Sequence, residues 1–274
     1  MTIKNTPTTS LILTTYNWPE ALELVLLSIV KQSVLPDEII IGDDGSGPET
    51  KAVITKYQNN YSVPIIHVWH EDDGFRKTQI LNKVIALASS EYIIQIDGDI
   101  ILHRHFVKNH LQMCEKNVYT CGSRVFLSDE ASKKAQETKN IAYNFFSKGN
   151  SNRLNALYNP FLMKLFSYYN DNLMKIRGCN TGMWRADLIE INGYNEDMTG
   201  WGREDSEISA RLTHAKKRKK HIKFGALTYH QHHEFSSRSE FNKNHEIFSK
   251  TIDENLTRCE NGLDKYLKST PINN

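Results

Sequence analysis

Along the first hundred residues, short apolar bursts alternate with longer segments that proline and polar residues mark off. Residues 10–14 (Ser-Leu-Ile-Leu-Thr) read as a short apolar strand. Pro19 opens a segment through Gln32 whose apolar positions wrap almost all the way round, as in a well-buried helix, and Pro36 marks its end. Residues 38–41 then read as a buried strand, 48–57 as a helix, 64–69 as a third strand, 78–88 as a helix and 92–96 as a fourth strand. These are repeated βα units, so the expected fold class is α/β, with a mostly parallel central sheet flanked by helices. No internal repeat is visible.

Ligands of such sheets collect outside the carboxyl ends of the strands. That rule groups Thr14, Thr15, Tyr16 and Asn17 after the first strand, Asp43 and Asp44 after the second, and Asp97 and Asp99 after the fourth, all expected to line one crevice. There is no Gly-x-Gly-x-x-Gly and no Walker loop, so neither a dehydrogenase-type dinucleotide site nor a P-loop is supported. The run Tyr92-Ile-Ile-Gln-Ile-Asp97-Gly-Asp99 carries the sharpest chemistry, because an apolar strand ends in two carboxylates one residue apart. Mg²⁺ and Mn²⁺ bind through one or two carboxylates plus the phosphates of a substrate. Asp-Gly-Asp is also ordinary turn chemistry, and only its place among the other polar strand ends favours the metal.

Farther along, the pattern changes. Residues 129–175 weaken into polar and aromatic stretches and read as an insertion or mobile region. Residues 193–207 combine glycines, Trp201 and the acids Glu204, Asp205 and Glu207 ahead of a helix expected over 208–215. Glycine admits close approach of a ligand, tryptophan offers a face for a sugar ring, and a helix N-terminus keeps a carboxylate ionised and usable as a base. Acids also simply favour the first helical turn. Tyr229-His230-Gln-His232-His233 follows a strand expected over 222–228. One histidine can complete a metal shell; three in four residues also raise zinc, but they do not readily converge on one ion from an extended chain. Residues 240–268 read as peripheral helix packed on the main domain.

Composition narrows the classes. The 274 residues, 39% hydrophobic and 24% charged, suffice for one large domain or two small ones. A formal net charge of +2 argues against an electrostatically driven nucleic-acid partner. The basic run Ala215-Lys-Lys-Arg-Lys-Lys220 reads first as a solvated face and second as peripheral contact with anionic lipid headgroups. Cys114, Cys121, Cys179 and Cys259 are widely spaced with no Cys-x-x-Cys pair, which indicates neither a zinc ribbon nor a disulfide framework and fits a reducing cytosol. No run approaches 18 apolar residues and no signal peptide is recognised, so the expected location is cytoplasmic, at most peripheral at the inner face of the membrane.

Five ordered motifs, Thr14-Thr-Tyr-Asn17, Ile41-Gly-Asp-Asp-Gly-Ser46, Gly74-Phe-Arg-Lys77, Ile96-Asp-Gly-Asp99 and Gly200-Trp-Gly-Arg-Glu-Asp205, resemble the family 2 glycosyltransferases with a GT-A fold. The Trp-Gly-x-Glu-Asp segment also resembles the C-terminal motif of β-1,4-galactosyltransferases and chondroitin-type polymerases. The resemblance implies one GT-A domain: residues 1–115 as the nucleotide-sugar half, 116–235 as the acceptor and catalytic half, and 236–274 as a peripheral helical segment. It further implies an inverting transfer, dependent on Mn²⁺ or Mg²⁺, from a UDP-sugar to a saccharide or lipid-linked saccharide acceptor, as in surface polysaccharide, lipopolysaccharide or capsule synthesis.

By that resemblance Thr14 and Tyr16 border the nucleobase, and Asp44 hydrogen-bonds its imide edge. Arg76 lies near the donor at the diphosphate, or else forms a surface ion pair. Asp97 contacts the ribose or the metal, and Asp99 ligates the metal. His233, in a His-x-x-His pattern with His230, is the first choice for a further metal ligand and His230 the second. Asp205 is the general base, Glu204 positions a substrate hydroxyl, and Trp201 flanks the acceptor. Glu234 stands where many relatives have proline, which leaves open which histidine reaches the metal. Three other readings compete: a nucleotidyltransferase, whose Gly-rich basic loop is absent here; a non-catalytic saccharide-binding protein; and a zinc hydrolase on His230, His232 and His233.

Overall fold

The computed structural model describes residues 6–234 and 237–267. Its first four strands are β1 (Thr9–Thr15), β2 (Glu38–Asp43), β3 (Ile65–Trp69) and β4 (Tyr92–Asp97). After them come β5 (Ile100–Leu102), β6 (Val118–Cys121), β7 (Ser123–Leu127), β8 (Asn150–Ser151), β9 (Tyr168–Tyr169), β10 (Asn180–Trp184), β11 (Arg218–His221) and β12 (Leu227–His230). An eight-stranded sheet runs in the order β3-β2-β1-β4-β10-β6-β11-β9, and a smaller one in the order β5-β12-β7-β8. The half from β3 to β4 is parallel, whereas β10 is antiparallel to both β4 and β6.

The unbroken Ile and Leu runs of β1, β2 and β4 follow from burial on both faces. On one face Leu11, Leu13, Ile39, Ile41 and Ile94 pack with Leu22, Val25 and Ile29 of the helix Pro19–Val30. On the other, Ile12, Ile40 and Ile93 pack with Leu81, Val84 and Ile85 of the helix Lys77–Leu87. Register then sets the crevice: Thr15 pairs with Asp43 and Thr14 with Asp97, so the polar strand ends finish side by side. Because Asn180 of β10 pairs with Ile96, the residues just before β10 arrive at the same edge.

Four expectations change. Residues 129–175 are built rather than shapeless: Ser128 caps the helix Asp129–Thr138 by accepting from the Ala131 N–H, and Asn159 caps the helix Pro160–Phe166. The helix expected at 208 begins at Glu204, which puts Glu204 and Asp205 in its first turn. The strand expected over 222–228 is displaced: residues 222–226 link β11, which ends at His221, to β12, which begins at Leu227, and Phe224 and Ala226 take left-handed backbone there (φ 56° and 46°) that no ladder admits. The basic run is only partly a solvated face: Lys216 and Arg218 are exposed, but residues 218–220 lie in β11, with Lys219 only 2% exposed, Lys220 bridged to Glu115 and Arg218 stacked on Tyr169. Lys217, just ahead of that strand, bridges Asp187 and Glu190 at 2.9 Å each.

The helix Phe241–Asp253 packs on the helix Glu204–His214, and its buried Thr251 donates to Glu207 Oε1 at 3.2 Å. Residues 235–236 and 268–274 of the expected C-terminal segment lie outside the described residues. All four cysteines are free thiols. Among the described residues no helix is long and apolar enough to cross a membrane.

Candidate active site

At the ends of β1 and β2, acids of the strand ends are tied to their neighbours. Asp43 Oδ1 accepts from the Ser46 N–H at 2.8 Å, and Oδ2 faces His67 Nε2 at 3.0 Å. Asp44 Oδ1 faces His70 Nε2 at 2.5 Å, and Oδ2 accepts from the Arg76 N–H at 2.9 Å. Tyr16 is exposed and donates its hydroxyl to Asp72 at 2.8 Å. Asn17, at φ 43°, accepts from the Gly47 N–H, which pins the loop after β1 to the loop after β2.

At the end of β4, Asp97 Oδ1 meets Lys77 Nζ at 2.8 Å and the Thr14 hydroxyl at 3.5 Å. Burial by itself raises Asp97, but Lys77 outweighs it and holds the carboxyl below its ordinary range. Burial would lower Lys77 in turn, yet Asp97, Asp205 and Glu204 together keep its ammonium well above the ordinary value. Lys77 is thus a half-buried cation, kept charged among three carboxylates. Its neighbour Arg76 turns away, pairing its guanidinium with Asp73 at 3.4 Å and with the Glu71 carbonyl.

Asp99 sits opposite two imidazoles. His230 Nε2 lies 3.5 Å and His233 Nε2 3.4 Å from Asp99 Oδ2, and the three ligand atoms fall within 4.8 Å of one another. Nδ1 of His230 bonds the Gln231 carbonyl at 2.7 Å and Nδ1 of His233 bonds the Glu234 carbonyl at 2.6 Å. A carbonyl only accepts, so Nδ1 carries the proton in both rings and Nε2 is the nitrogen left to face Asp99. Burial lowers the His230 pKa, which favours its neutral form. Two Nε2 atoms converging on a carboxylate whose Oδ1 is buried without a hydrogen bond among the described residues are a ligand set for a cation. The residues fit a divalent metal held by Asp99, His230 and His233. Both histidines of the pair share the carboxylate, and Glu234 does not prevent it. His232 points elsewhere, toward Asp129 at 3.7 Å, so the three histidines do not converge.

Asp205 approaches from the second half. The backbone from Gly200 to Arg203 holds three left-handed residues, Gly200 (φ 68°), Gly202 (φ 112°) and Arg203 (φ 73°), and this strained loop sets where the next helix begins. In its first turn Asp205 Oδ2 accepts from the Gly178 N–H at 2.8 Å, while Oδ1 is buried with no hydrogen bond among the described residues. A Cβ on Gly178 would lie 2.1 Å from Oδ1, so only glycine admits this approach. Gln95 donates to the Gly178 carbonyl at 3.2 Å and accepts from the Tyr194 hydroxyl at 3.0 Å, fixing Gly178 from below. Burial raises the Asp205 pKa, against the pull of Lys77 and the Gly178 N–H. Glu204 accepts from the Gly202 N–H at 3.2 Å and is pushed up to about 7, by burial first and Asp205 second. Trp201 is part exposed, stacked on Phe241 and beneath the Arg238 guanidinium.

The structure therefore gathers Thr14, Asp97, Asp99, Asp205, Glu204, His230 and His233, with Asp44 and Tyr16 at the ends of β1 and β2. Arg76 is held apart on Asp73, and Trp201 on Phe241. Sequence reasoning gave no role to Lys77, Arg124, Gly178 or Gln231. Arg124 bonds Cys179 Sγ at 3.5 Å, lowers the pKa of both Asp97 and Asp205, and leaves Nε buried with no hydrogen bond. Its signal was a cation in an otherwise apolar alternating strand, β7. Gln231 bonds the Asp99 and Ala21 carbonyls at 3.4 Å and 3.2 Å from between the two ligand histidines.

A family model for glycosyl transferase family 2 matches residues 10–189, and one described as the N-terminal domain of galactosyltransferase matches residues 163–234. The first span holds Lys77, Asp97, Asp99 and Arg124; the second holds Asp205, His230 and His233. Validoxylamine A glucosyltransferase of Streptomyces hygroscopicus subsp. limoneus is 23% identical over 233 residues, 75% of this chain and 48% of that protein. Chondroitin synthase of Escherichia coli is 21% identical over 250 residues, 81% of this chain and 34% of that protein. The chain thus spans about a third to a half of the length of these curated relatives. Among solved structures, S. aureus TarS 1-349 in complex with UDP superposes with a TM-score of 0.62 at 14% identity, over 94% of this chain and 68% of that one. The mannosyltransferase PcManGT from Pyrobaculum calidifontis, in complex with GDP-Man and Mn²⁺, gives 0.55 at 16% identity over 83% of this chain and 57% of that one. At such identities these two likenesses carry the fold alone, the GT-A arrangement expected from the sequence.

Proposed function

The chain belongs to glycosyl transferase family 2, and from that premise we propose that it is an inverting, metal-dependent glycosyltransferase using a UDP-sugar donor and a saccharide or lipid-linked saccharide acceptor. One observation carries the reading: Asp99 Oδ1 and Asp205 Oδ1, two buried carboxylate oxygens without a hydrogen bond among the described residues, belong to one cluster with Lys77, Arg124 and the Nε2 atoms of His230 and His233. A fold leaves such acceptors unsatisfied where a ligand completes them.

Asp205 takes the proton of the acceptor hydroxyl on Oδ1, since the Gly178 N–H occupies Oδ2 and fixes the carboxylate. A base above the ordinary aspartate range but still ionised at neutral pH suits that step. The acceptor oxygen attacks the anomeric carbon opposite the leaving diphosphate, so configuration inverts. Lys77 and Arg124 supply fixed positive charge to the leaving group in a site largely shielded from water. Asp99, His230 and His233 would hold Mn²⁺ or Mg²⁺, which would supply Lewis-acid charge to the leaving group. Thr14, Tyr16 and Asp44 border the nucleotide, and Asp97 orients Lys77 while facing the ribose side. Glu204, pushed up to about 7, hydrogen-bonds a substrate hydroxyl. The halves 1–115 and 116–235 take donor and acceptor respectively.

The test is release of nucleoside diphosphate from a panel of UDP-sugars and GDP-mannose, with Mn²⁺, Mg²⁺ or EDTA. Metal-dependent release from one UDP-sugar is expected, abolished by Asp99→Ala and reduced about 10²–10⁴-fold by Asp205→Asn with donor binding retained. Full activity of Asp205→Asn, or release in EDTA, defeats the proposal.

A further inference from the structure

Large apolar side chains lie open on the segment between the second sheet and β9. Leu154 is 75% exposed, Phe161 73% and Leu165 64%, with Phe166 and Tyr168 beside them. Leu154, Phe166 and Tyr168 line one groove of about 320 Å³ together with Phe224 and Lys223. Phe161 and Leu165, one helical turn apart, stand on the outer side of the helix Pro160–Phe166, whose Met163 is fully buried. Soluble monomers seldom leave a contiguous apolar surface of this kind to water.

Along the chain, the charge of this segment has one sign, although Glu115 meets Tyr169 at its far edge. Residues 138–170 contain no aspartate or glutamate, while Arg153 and Lys164 are exposed among the apolar residues and Lys223 lines the groove. Aromatic and aliphatic side chains edged by lysine and arginine match the boundary of an anionic bilayer, where rings enter the headgroup layer and cations meet lipid phosphates. Of the basic run at 215–220, Lys217 and Lys220 are held in ion pairs and Lys219 is buried.

We propose that this face docks on an anionic lipid bilayer. It also adjoins the candidate site, because Asn155 donates to the Arg124 carbonyl at 3.0 Å. On the reading given above, an acceptor carried by a lipid would reach the site from that side; the docking itself is independent of that reading and is measured without turnover.

The protein is sedimented with vesicles of phosphatidylcholine alone and of phosphatidylcholine mixed with phosphatidylglycerol. It is expected to partition onto the mixed vesicles and to leave them as salt rises. Phe161→Ser combined with Leu165→Ser should lower that partition about tenfold or more, and Lys164→Glu several-fold, with melting temperature and UDP release unchanged. Absence of binding to mixed vesicles, or binding that survives the double substitution, overturns the proposal. A concentration-dependent dimer in sedimentation velocity that the double substitution abolishes overturns it too, by assigning the face to a second copy.

Discussion

Asp43 and Asp44 on one side of the crevice, and Asp99 and Asp205 on the other, are acids at the same sheet edge, yet the fold treats them differently. Both oxygens of Asp43 and of Asp44 have partners, in Ser46 and His67 and in His70 and the Arg76 N–H. Burial raises Asp44 as it raises Asp99 and Asp205, so pKa does not divide the pairs; what does is that Asp99 and Asp205 each keep one buried oxygen with no hydrogen bond among the described residues. An unmet buried acceptor costs about 1–3 kcal/mol. What is avoided at the ends of β1 and β2 is tolerated around Asp99 and Asp205, so the first pair is tied into the fold and the second is left open to something bound.

The largest effect that tests this contrast comes from Gly178→Ala. Its Cβ would stand 2.1 Å from Asp205 Oδ1 and 2.8 Å from Cγ, so the carboxylate must move. A displacement near 1 Å is expected to cost about 10²-fold in kcat with donor KM nearly unchanged. Gly47, on the side of the tied acids, is the control: a Cβ there meets nothing closer than Glu49 Oε2 at 3.2 Å. Gly47→Ala should leave kcat within roughly threefold, as a turn substitution without a clash. Equal effects of the two changes on UDP release would dissolve the distinction.

Next in size is a pH effect on stability. Glu204 is raised to about 7 from 4.5, so between those values the folded protein binds more protons than the unfolded chain. Stability from this group is therefore greatest at low pH and declines as pH climbs through that window. Metal-free wild type should lose on the order of 1–3 kcal/mol more between pH 5 and pH 8 than Glu204→Gln. Asp205, also raised, retains part of the slope in the variant. Paired denaturant titrations at the two pH values measure the difference, and parallel curves for the two proteins would remove the coupling of Glu204 and Asp205 from the account.

The contrast also explains what could be read from the chain. The strands β1, β2 and β4 announce themselves because burial on both faces demands uninterrupted Ile and Leu, and parallel βα winding then fixes where their ends fall. Asp97 and Asp99 were legible for that reason, and their place relative to Thr14 is a matter of register. The second half builds its part of the site from long-range approaches that leave little local signal. Gly178 matters only because the helix starting at Glu204 passes over it, and the cap at Ser128 was hidden in a stretch without periodicity. His230 was placed after a strand when it lies in one; left-handed Phe224 and Ala226 displaced the ladder, and nothing in Phe-Gly-Ala announces two such residues.

The smallest expected effect separates two adjacent cations. Arg76 caps the helix with non-helical backbone (φ −123°), whereas Lys77 is its first helical residue, and this one-residue step sends the side chains apart. Lys77 goes inward to Asp97; Arg76 bonds the Glu71 carbonyl and pairs with Asp73, itself largely in water. An ion pair so exposed contributes about 0–1 kcal/mol. What Arg76 gives Asp44 is its backbone N–H, and alanine keeps that group. Arg76→Ala is thus expected to raise donor KM by about threefold or less and to leave kcat unchanged. A loss of two orders of magnitude in kcat/KM would mean instead that the guanidinium leaves Asp73 for the diphosphate when donor binds, and the tied side would then have to be redrawn to include a moving part.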